Sequence, residues 1–160
     1  TTVGGNKNEK RKSDVHLFDI WRLELTDFKK VIIFKVKEIF TTENKNYGFD
    51  LDYSTVNIQF TRYQKDDFYE WHADDDLLNT HIKTHSLRKL SMAMPLNIGE
   101  FEGGEFEIKL SPSENAKTRK IPIEPGNIIV FPSFLEHRVL PITSNTRYSL
   151  VAWISGPPWR

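Results

Sequence analysis

The chain contains no cysteine among its 160 residues. That absence excludes disulfides, cysteine–zinc sites and thiol nucleophiles together. The sequence also lacks any apolar run close to the roughly 20 residues that a membrane-spanning helix needs, and its first residues lack the apolar stretch of a secretory signal. With 28% charged and 38% hydrophobic residues, the composition is typical of one soluble, globular domain, for which a cytoplasmic location is the default expectation.

An excess of charge of one sign is absent as well. Lysine and arginine number 22, as do aspartate and glutamate, so the formal net charge is zero. Nucleic-acid-binding surfaces are usually strongly basic, and this balance therefore argues against a broad phosphate-binding face. The basic run Lys7–Lys12 lies in a polar, glycine-containing stretch. We predict a flexible leader over residues 1–14 and a single domain over residues 15–160.

The spacing of apolar residues changes once along the chain. In the first third they recur at intervals of three and four, which predicts an amphipathic helix that Thr26 and Asp27 would begin. This apolar stripe comprises Leu25, Phe28, Ile32, Val36, Ile39 and Phe40. From Ser54 to Tyr63 apolar and polar residues alternate, which predicts a half-buried strand.

Further strands are predicted where short β-branched or aromatic runs lie between glycine- and proline-containing turns. These strands span residues 89–96, 105–110, 127–131, 137–141 and 146–154. Many short strands after a helical start favour a β-sandwich or barrel with helices packed on one side.

A His-x-Asp triplet formed by His72 and Asp74, with His137 63 positions after Asp74, supplies the residue types of an iron site. Two histidines and one carboxylate hold Fe(II) on one face of an octahedron and leave positions open for substrate and dioxygen. Residues two apart on a strand point to the same face, so His72 and Asp74 can converge on one ion. In a jelly-roll the returning strand can lie beside the first, so the long gap to His137 is compatible with one site.

The last predicted strand carries a cation on an otherwise apolar face. Arg147, Ser149, Val151 and Trp153 share that face, because they alternate with Tyr148 and its successors. Burying an arginine is costly unless an anion meets it. A dicarboxylate would do so through a bidentate contact, with Ser149 adding a hydroxyl.

These motifs resemble those of the prolyl 4-hydroxylase-like 2-oxoglutarate/Fe(II) oxygenases. The similar segments are Tyr63–Asp74 with the pattern Tyr…Tyr-x-x-His-x-Asp, Gly103-Gly104-Glu105, Pro125–Pro132 and the stretch from His137 to Ser149. The resemblance covers about residues 54–156 and implies a mainly β enzyme, a double-stranded β-helix (jelly-roll) with N-terminal supporting helices. One departure is Asp66, which replaces the family's glycine between the two tyrosines and leaves the backbone conformation of that turn open.

The same resemblance implies roles for three groups of residues. The implied Fe(II) ligands are His72, Asp74 and His137. The implied contacts of the distal carboxylate of 2-oxoglutarate are Arg147, Tyr63 and Ser149. The implied pocket residues near the reacting carbon are Tyr69 and Trp153. The reaction would consume dioxygen, convert 2-oxoglutarate to succinate and carbon dioxide, and hydroxylate an unactivated C–H bond, with ascorbate as a reductant.

The leading hypothesis is a hydroxylase of a protein or peptide, acting on prolyl residues. The prolyl hydroxylases resembled here also carry Trp at the position of Trp153, six residues after Arg147, where AlkB-like nucleic-acid demethylases carry a second Arg. Demethylation of nucleic acid is therefore the less favoured substrate choice. Another side chain or a free amino acid as substrate stays open. A non-enzymatic jelly-roll binding module is a further alternative, against which the complete ligand set argues.

Between the two halves of the predicted site, Asp75–Arg88 is expected to form a mobile loop that acts as a substrate lid. His81 and His85 lie in it, four residues apart, as on a zinc-protease helix. Such a helix needs Glu after the first histidine, and Ile82 stands there instead. We therefore interpret both histidines as solvated.

Overall fold

The computed structural model describes residues 2–3, 10–18, 27–75, 86–111, 113, 115–122, 124 and 126–159. The helix that these residues contain is α1 (Asp27–Tyr47), which carries Asp27 in its first turn, where a carboxylate interacts favourably with the helix dipole. It is followed by Gly48, whose φ is 69° and whose N–H donates to the Asn44 carbonyl over 2.7 Å, as in glycine-terminated helices. Thr26, predicted to help begin this helix, lies outside the described residues.

Thirteen strands account for most of the remaining described residues. They are β1 (Thr2–Val3), β2 (Arg11–Lys12), β3 (Asp14–Phe18), β4 (Asp52–Tyr63), β5 (Phe68–His72), β6 (Leu87–Pro95), β7 (Glu102–Gly103), β8 (Phe106–Lys109), β9 (Thr118–Ile121), β10 (Ile129–Pro132), β11 (His137–Val139), β12 (Ile142–Ser144) and β13 (Arg147–Gly156). Six of them, β4, β6, β8, β10, β11 and β13, correspond to the six strands predicted from the sequence.

The strands form two large antiparallel sheets that face each other. The larger has the order β1-β3-β4-β13-β6-β10, the smaller has the order β2-β5-β11-β8-β9, and β7 pairs with β12 in a separate two-stranded sheet. The mainly β, jelly-roll fold is therefore confirmed. Within the described part of the chain, one helix supports the barrel where several were expected.

Two apolar clusters fix these elements. The first joins α1 to the outer face of the larger sheet and comprises Val36, Phe40, Val56, Ile58, Leu90, Met92, Leu150, Ala152 and Ile154. The second lies between the two large sheets and comprises Tyr63, Ala93, Phe106, Ile108, Phe131, Val139 and Ile142. Phe28, predicted on the buried helical stripe, is 70% exposed, because the contact of α1 with the sheet begins one turn later, at Ile32.

The described part of the predicted leader is paired in sheets. Arg11 and Lys12 lie opposite Tyr69 and Phe68 of β5, and Asp14 begins β3, which pairs with β4. The flexible leader over residues 1–14 therefore stays a prediction, although Arg11, Lys12 and Asp14 lie in paired strands. The run is short and highly charged, so its own sequence carries little strand signal. Among the described residues, no helix has both the length and the apolar character that a bilayer crossing requires.

Candidate active site

Strands β5 and β11 bring the two predicted histidine ligands together. His72 and His137 are direct partners across this antiparallel pair, although they are far apart in sequence. His137 begins β11, as the preceding turn predicts. Asp74 lies just beyond the end of β5, so it does not share a regular strand with His72. Its N–H donates to the Ser133 carbonyl over 2.9 Å, and this bond turns the segment toward the two histidines.

The three side chains have the geometry of a metal site. One potential ligand atom from each lies within 4.8 Å of the others. The Nε2 atom of His72 is 3.8 Å from Oδ1 of Asp74, and the Nε2 atom of His137 is 3.6 Å from Oδ2. Two imidazoles and a carboxylate are the donor set of a facial Fe(II) site. The residues present therefore fit the metal that the sequence motifs imply.

Each imidazole is oriented through its second nitrogen. Nδ1 of His72 lies 2.7 Å from the Glu70 carbonyl, and Nδ1 of His137 lies 3.1 Å from the Leu135 carbonyl. Because a carbonyl only accepts, these contacts assign the proton to Nδ1 and leave Nε2 unprotonated. A hydrogen bond of this kind fixes both the tautomer and the direction of a metal-binding histidine.

Aromatic rings enclose the two histidines. The ring of Tyr69 stacks on that of His72, with centroids 3.5 Å apart and planes inclined by 14°. Phe131 packs edge-on against His137 at 4.7 Å, and Phe106 lies 5.4 Å from it. These contacts hold the imidazoles in place and keep water away from one side of the site.

Burial and mutual charge set the protonation states. Burial, together with the nearby His137, lowers the pKa of His72 to about 3. For Asp74, burial by itself would raise the pKa, but the neighbouring His137 and His72 and the Ser91 hydroxyl outweigh it and lower the pKa below its ordinary value. At neutral pH, His72 is therefore neutral and Asp74 is ionised, which are the forms that bind metal ions.

A cavity of about 310 Å³ lies between the two large sheets, beside these residues. All of the pocket and cosubstrate residues predicted from the sequence line it: Tyr63, Tyr69, Arg147, Ser149 and Trp153. The alternation along β13 was correctly predicted, since Leu150, Ala152 and Ile154 on its other face pack toward α1. The cavity thus joins the candidate metal ligands to the predicted cosubstrate anchor.

Arg147 is buried at the predicted cosubstrate site. Its side chain is only 2% exposed, and its guanidinium lies 5.4 Å from the ring of Tyr63, its cross-strand partner. Burial lowers its pKa, a shift that the nearby Tyr63 opposes. Among the described residues, Arg147 Nε and Ser149 Oγ find no hydrogen-bond partner. Buried donors of this kind are costly unless a ligand accepts from them, so they fit the distal carboxylate of a dicarboxylate.

Several lining residues were not identified from the sequence. They are Arg11, Gln59, Thr61, Arg88, Ala93, Phe106, Phe131 and Val139. Arg88 lines the cavity because the register of β6 against β13 shifts between Ile154 and Ser155, and bulges of this kind commonly re-aim a side chain. Its guanidinium lies 4.3 Å from the Trp153 ring. Strand alternation cannot reveal a bulge, so the sequence offered no signal for Arg88.

The structure describes only the two ends of the predicted lid. Residues 76–85, which include His81 and His85, lie outside the described residues. At its two ends, Asp75 donates its N–H to the Ser133 carbonyl over 3.1 Å, and Arg88 belongs to β6. Both ends are therefore attached to the site.

Comparison with known proteins agrees with this geometry. Residues 58–155 match the model of the 2OG-Fe(II) oxygenase superfamily. The chain therefore belongs to this superfamily.

Relatives with curated descriptions include a PKHD-type hydroxylase of Idiomarina loihiensis, 33% identical over 63% of this chain and 43% of the relative. Another is a PKHD-type hydroxylase of Prochlorococcus marinus, 32% identical over 68% of this chain and 46% of the relative. The chain spans less than half the length of these relatives.

Solved structures show the same fold. A prolyl-4-hydroxylase of Pseudomonas putida aligns with a TM-score of 0.73 at 19% identity, over 97% of this chain and 78% of that one. The viral collagen prolyl hydroxylase of Paramecium Bursaria Chlorella virus-1 aligns with a TM-score of 0.65 at 19% identity, over 92% of this chain and 80% of that one. The chain therefore has the fold of the prolyl hydroxylases.

Proposed function

We propose that the chain is an oxygenase that uses Fe(II), 2-oxoglutarate and dioxygen to hydroxylate a residue of a protein or peptide, with proline as the leading candidate. One observation carries the proposal: His72, Asp74 and His137 converge in the same cavity that buries Arg147. The family match and the names of the hydroxylase relatives support it. When bound, Fe(II) and 2-oxoglutarate supply oxidative decarboxylation to succinate and carbon dioxide, coupled to insertion of one oxygen atom into a C–H bond.

In this proposal His72 and Asp74 need no proton loss at neutral pH. His72 and His137 offer Nε2 while their Nδ1–H groups are engaged by carbonyls. Asp74 offers a carboxylate that its neighbours keep ionised. These protonation states of His72 and Asp74 favour metal binding, because neither residue has to release a proton when the ion enters.

The cosubstrate is held at its far end by Arg147. A planar guanidinium binds a carboxylate through two parallel N–H···O bonds, and Ser149 adds a buried hydroxyl. Burial raises the pKa of Tyr63, so its phenol stays protonated and can donate as well. Together these donors fix the position of the dicarboxylate relative to the metal ligands.

The remaining walls orient the substrate and exclude water. Phe106, Phe131 and Val139 provide an apolar lining beside the ligands. Tyr69 and Trp153 flank the cavity near His72 and Arg88, where a compact ring such as that of proline would pack. A water-poor lining protects the reacting carbon and prevents unproductive side reactions.

Turnover of 2-oxoglutarate tests the activity itself. The protein with Fe(II), 2-oxoglutarate, ascorbate and proline-containing peptides should form succinate and add the mass of one oxygen atom to the peptide. His72→Ala should abolish both signals, whereas Lys120→Ala, at an exposed ion pair with Glu105, should keep them.

The substrate tested decides among the alternatives. Modification of lysine or asparagine peptides alone would leave the oxygenase proposal standing and refute proline as the target. Efficient demethylation of methylated single-stranded DNA would favour a nucleic-acid substrate instead. Failure to bind Fe(II) and 2-oxoglutarate at all would leave the non-enzymatic binding module as the better description.

A further inference from the structure

A chain of two buried hydroxyl groups, those of Ser133 and Ser91, orients the carboxylate of Asp74. The Ser91 Oγ atom donates to Asp74 Oδ2 over 2.7 Å and lies 2.9 Å from the Ser133 Oγ atom. Both serines are 0% exposed. An ionised carboxylate only accepts hydrogen bonds, so the single hydroxyl hydrogen of Ser91 goes to Asp74. Ser133 must then donate to Ser91, and the chain of donation runs from Ser133 through Ser91 to Asp74.

The backbone of Ser133 reinforces this arrangement. Its N–H donates to the Lys89 carbonyl over 3.0 Å, and its carbonyl accepts from the N–H groups of Asp74 and Asp75 over 2.9 and 3.1 Å. Ser133 lies in the turn between β10 and β11, four residues before His137. It therefore connects β6, the segment of Asp74 and the approach to the second histidine.

The number of metal-binding atoms at Asp74 decides how many positions stay open. In an octahedral site, two histidines and one carboxylate oxygen fill three positions, and a chelating oxo-acid fills two more. One position is then left for dioxygen. A carboxylate that used both of its oxygens would fill that last position. A hydrogen bond to one oxygen competes with the metal for the same lone pairs and favours one-oxygen binding.

We propose that Ser91, oriented by Ser133, is a positioning residue that restricts Asp74 to one metal-binding oxygen and so reserves a coordination position. The inference rests on the proposed function, because it presumes that Fe(II) and 2-oxoglutarate bind in this cavity. Ser91 does not line the cavity, so it acts through its hydrogen bond to Asp74. Its position in the middle of β6, between two apolar neighbours, explains why no sequence motif indicates it.

The test compares four variants by their affinity for nitric oxide, which probes an open iron position without turnover. Ser91→Ala removes the bond to Asp74, Ser133→Ala removes the donor that orients Ser91, and Ser91→Thr keeps the hydroxyl. Ser155→Ala on β13, outside the cavity lining, is the matched control. Each protein is loaded with Fe(II) and 2-oxoglutarate without oxygen, and nitric oxide is titrated while the electron paramagnetic resonance signal is recorded.

Ser91→Ala should bind nitric oxide about tenfold more weakly than the unchanged protein, which is the lower end of the range by which loss of an outer contact changes metal affinity or activity. Ser133→Ala should show a smaller loss in the same direction. Ser91→Thr and Ser155→Ala should match the unchanged protein, and 2-oxoglutarate affinity should stay constant throughout. Urea unfolding of the metal-free proteins shows which variants fold. If Ser91→Ala does not fold, the nitric oxide affinity of Ser133→Ala tests the inference instead.

Unchanged nitric oxide affinity in a folded Ser91→Ala would overturn the inference while leaving the proposed function intact. So would weaker binding of iron without any change in nitric oxide affinity, because Ser91 would then only support the ligand. If the unchanged protein binds neither Fe(II) nor 2-oxoglutarate, the proposed function itself fails, and this inference fails with it.

Discussion

Gly104 packs directly against the side chain of Arg147. A Cβ atom on Gly104 would lie 3.0 Å from Arg147 Cδ and would overlap Ile142 Cδ1, and the φ of Gly104 is 65°. Glycine is thus required at this position for two reasons: the positive φ of its backbone and the absence of a side chain beside Arg147 and Ile142. The Gly-Gly-Glu motif in the sequence therefore shapes the surroundings of Arg147, the proposed cosubstrate anchor, although Gly104 does not line the cavity.

Gly104→Ala should weaken both the fold and the binding of 2-oxoglutarate. We expect a loss of about 1–3 kcal/mol in the free energy of unfolding from backbone strain and a rise of about tenfold or more in the Kd of 2-oxoglutarate from displacement of Arg147. Urea unfolding and calorimetric titration measure the two effects. Gly99→Ala is the control, because its φ is 88° and its added Cβ meets nothing within 4 Å. An equal effect of both variants on 2-oxoglutarate would contradict the prediction.

Arg147→Met should change stability and binding in opposite directions. The arginine is buried without an anionic partner among the described residues, so an apolar side chain of similar volume should raise the free energy of unfolding. We expect a gain of about 1–4 kcal/mol, the range known for apolar replacement of buried ion pairs. Loss of the carboxylate contact should cost about 2–5 kcal/mol of 2-oxoglutarate binding. Chemical unfolding without 2-oxoglutarate measures the change in stability, and titration with 2-oxoglutarate measures the change in binding. Arg62→Met, at a partly exposed pair with Asp14, should leave binding unchanged.

Asp66→Gly should stabilise the turn between the two tyrosines. Asp66 has a φ of 65°, so it adopts the left-handed conformation that the family's glycine would adopt, and its N–H donates to the Ile142 carbonyl over 2.9 Å. Relief of this strain should exceed the entropic cost of glycine and raise the free energy of unfolding by about 0.5–1 kcal/mol. The neighbouring residue Lys65 does not have a positive φ, so Lys65→Gly should lower the free energy of unfolding by a similar amount. Thermal and urea unfolding measure both changes. A loss of stability in Asp66→Gly would contradict the prediction.

The metal-free protein should lose stability as the pH falls below neutral. The pKa of His72 is lowered from 6.5 to about 3 when the chain folds. Between those values the unfolded chain binds a proton that the folded chain does not. The contribution of neutral His72 to the free energy of unfolding is therefore complete above pH 6.5 and declines as the pH falls toward about 3.

Urea unfolding in the presence of a chelator at about pH 7 and about pH 5 measures this effect. The unchanged protein should lose more stability over that interval than His72→Asn, which has no titrating group at this position. Identical losses would show that His72 is not the group responsible.

The sequence predicted those features that depend on regular alternation. Arg147, Ser149 and Trp153 were assigned to one face of β13 because side chains alternate along any strand, and the cavity lining agrees. His137 was placed at a strand start because a proline-containing turn precedes it. Both arguments use only neighbouring residues, so no knowledge of strand pairing was needed.

Three features that depend on the exact pairing between distant segments were missed. Ser91 and Ser133 meet through the antiparallel register of β6 and β10, in which Leu90 faces Pro132, and a single serine between apolar residues carries no signal for such a contact. Arg88 enters the cavity through a shift of register, which strand alternation cannot reveal. The pairing of Arg11 with β5 escaped notice because charged, glycine-containing termini are usually unstructured.

That short pairing has a consequence for the handling of the protein. In the smaller sheet β2 lies outside β5, and the Glu70 N–H also donates to the Lys10 carbonyl over 2.8 Å. Without residues 10–12, the strand that ends in His72 would become an open edge. Its unpaired N–H and C=O groups would then invite strand-to-strand association between molecules. Residues 10–12 thus protect this edge from aggregation, and a shortened protein without them would expose the strand that carries the proposed metal ligand His72.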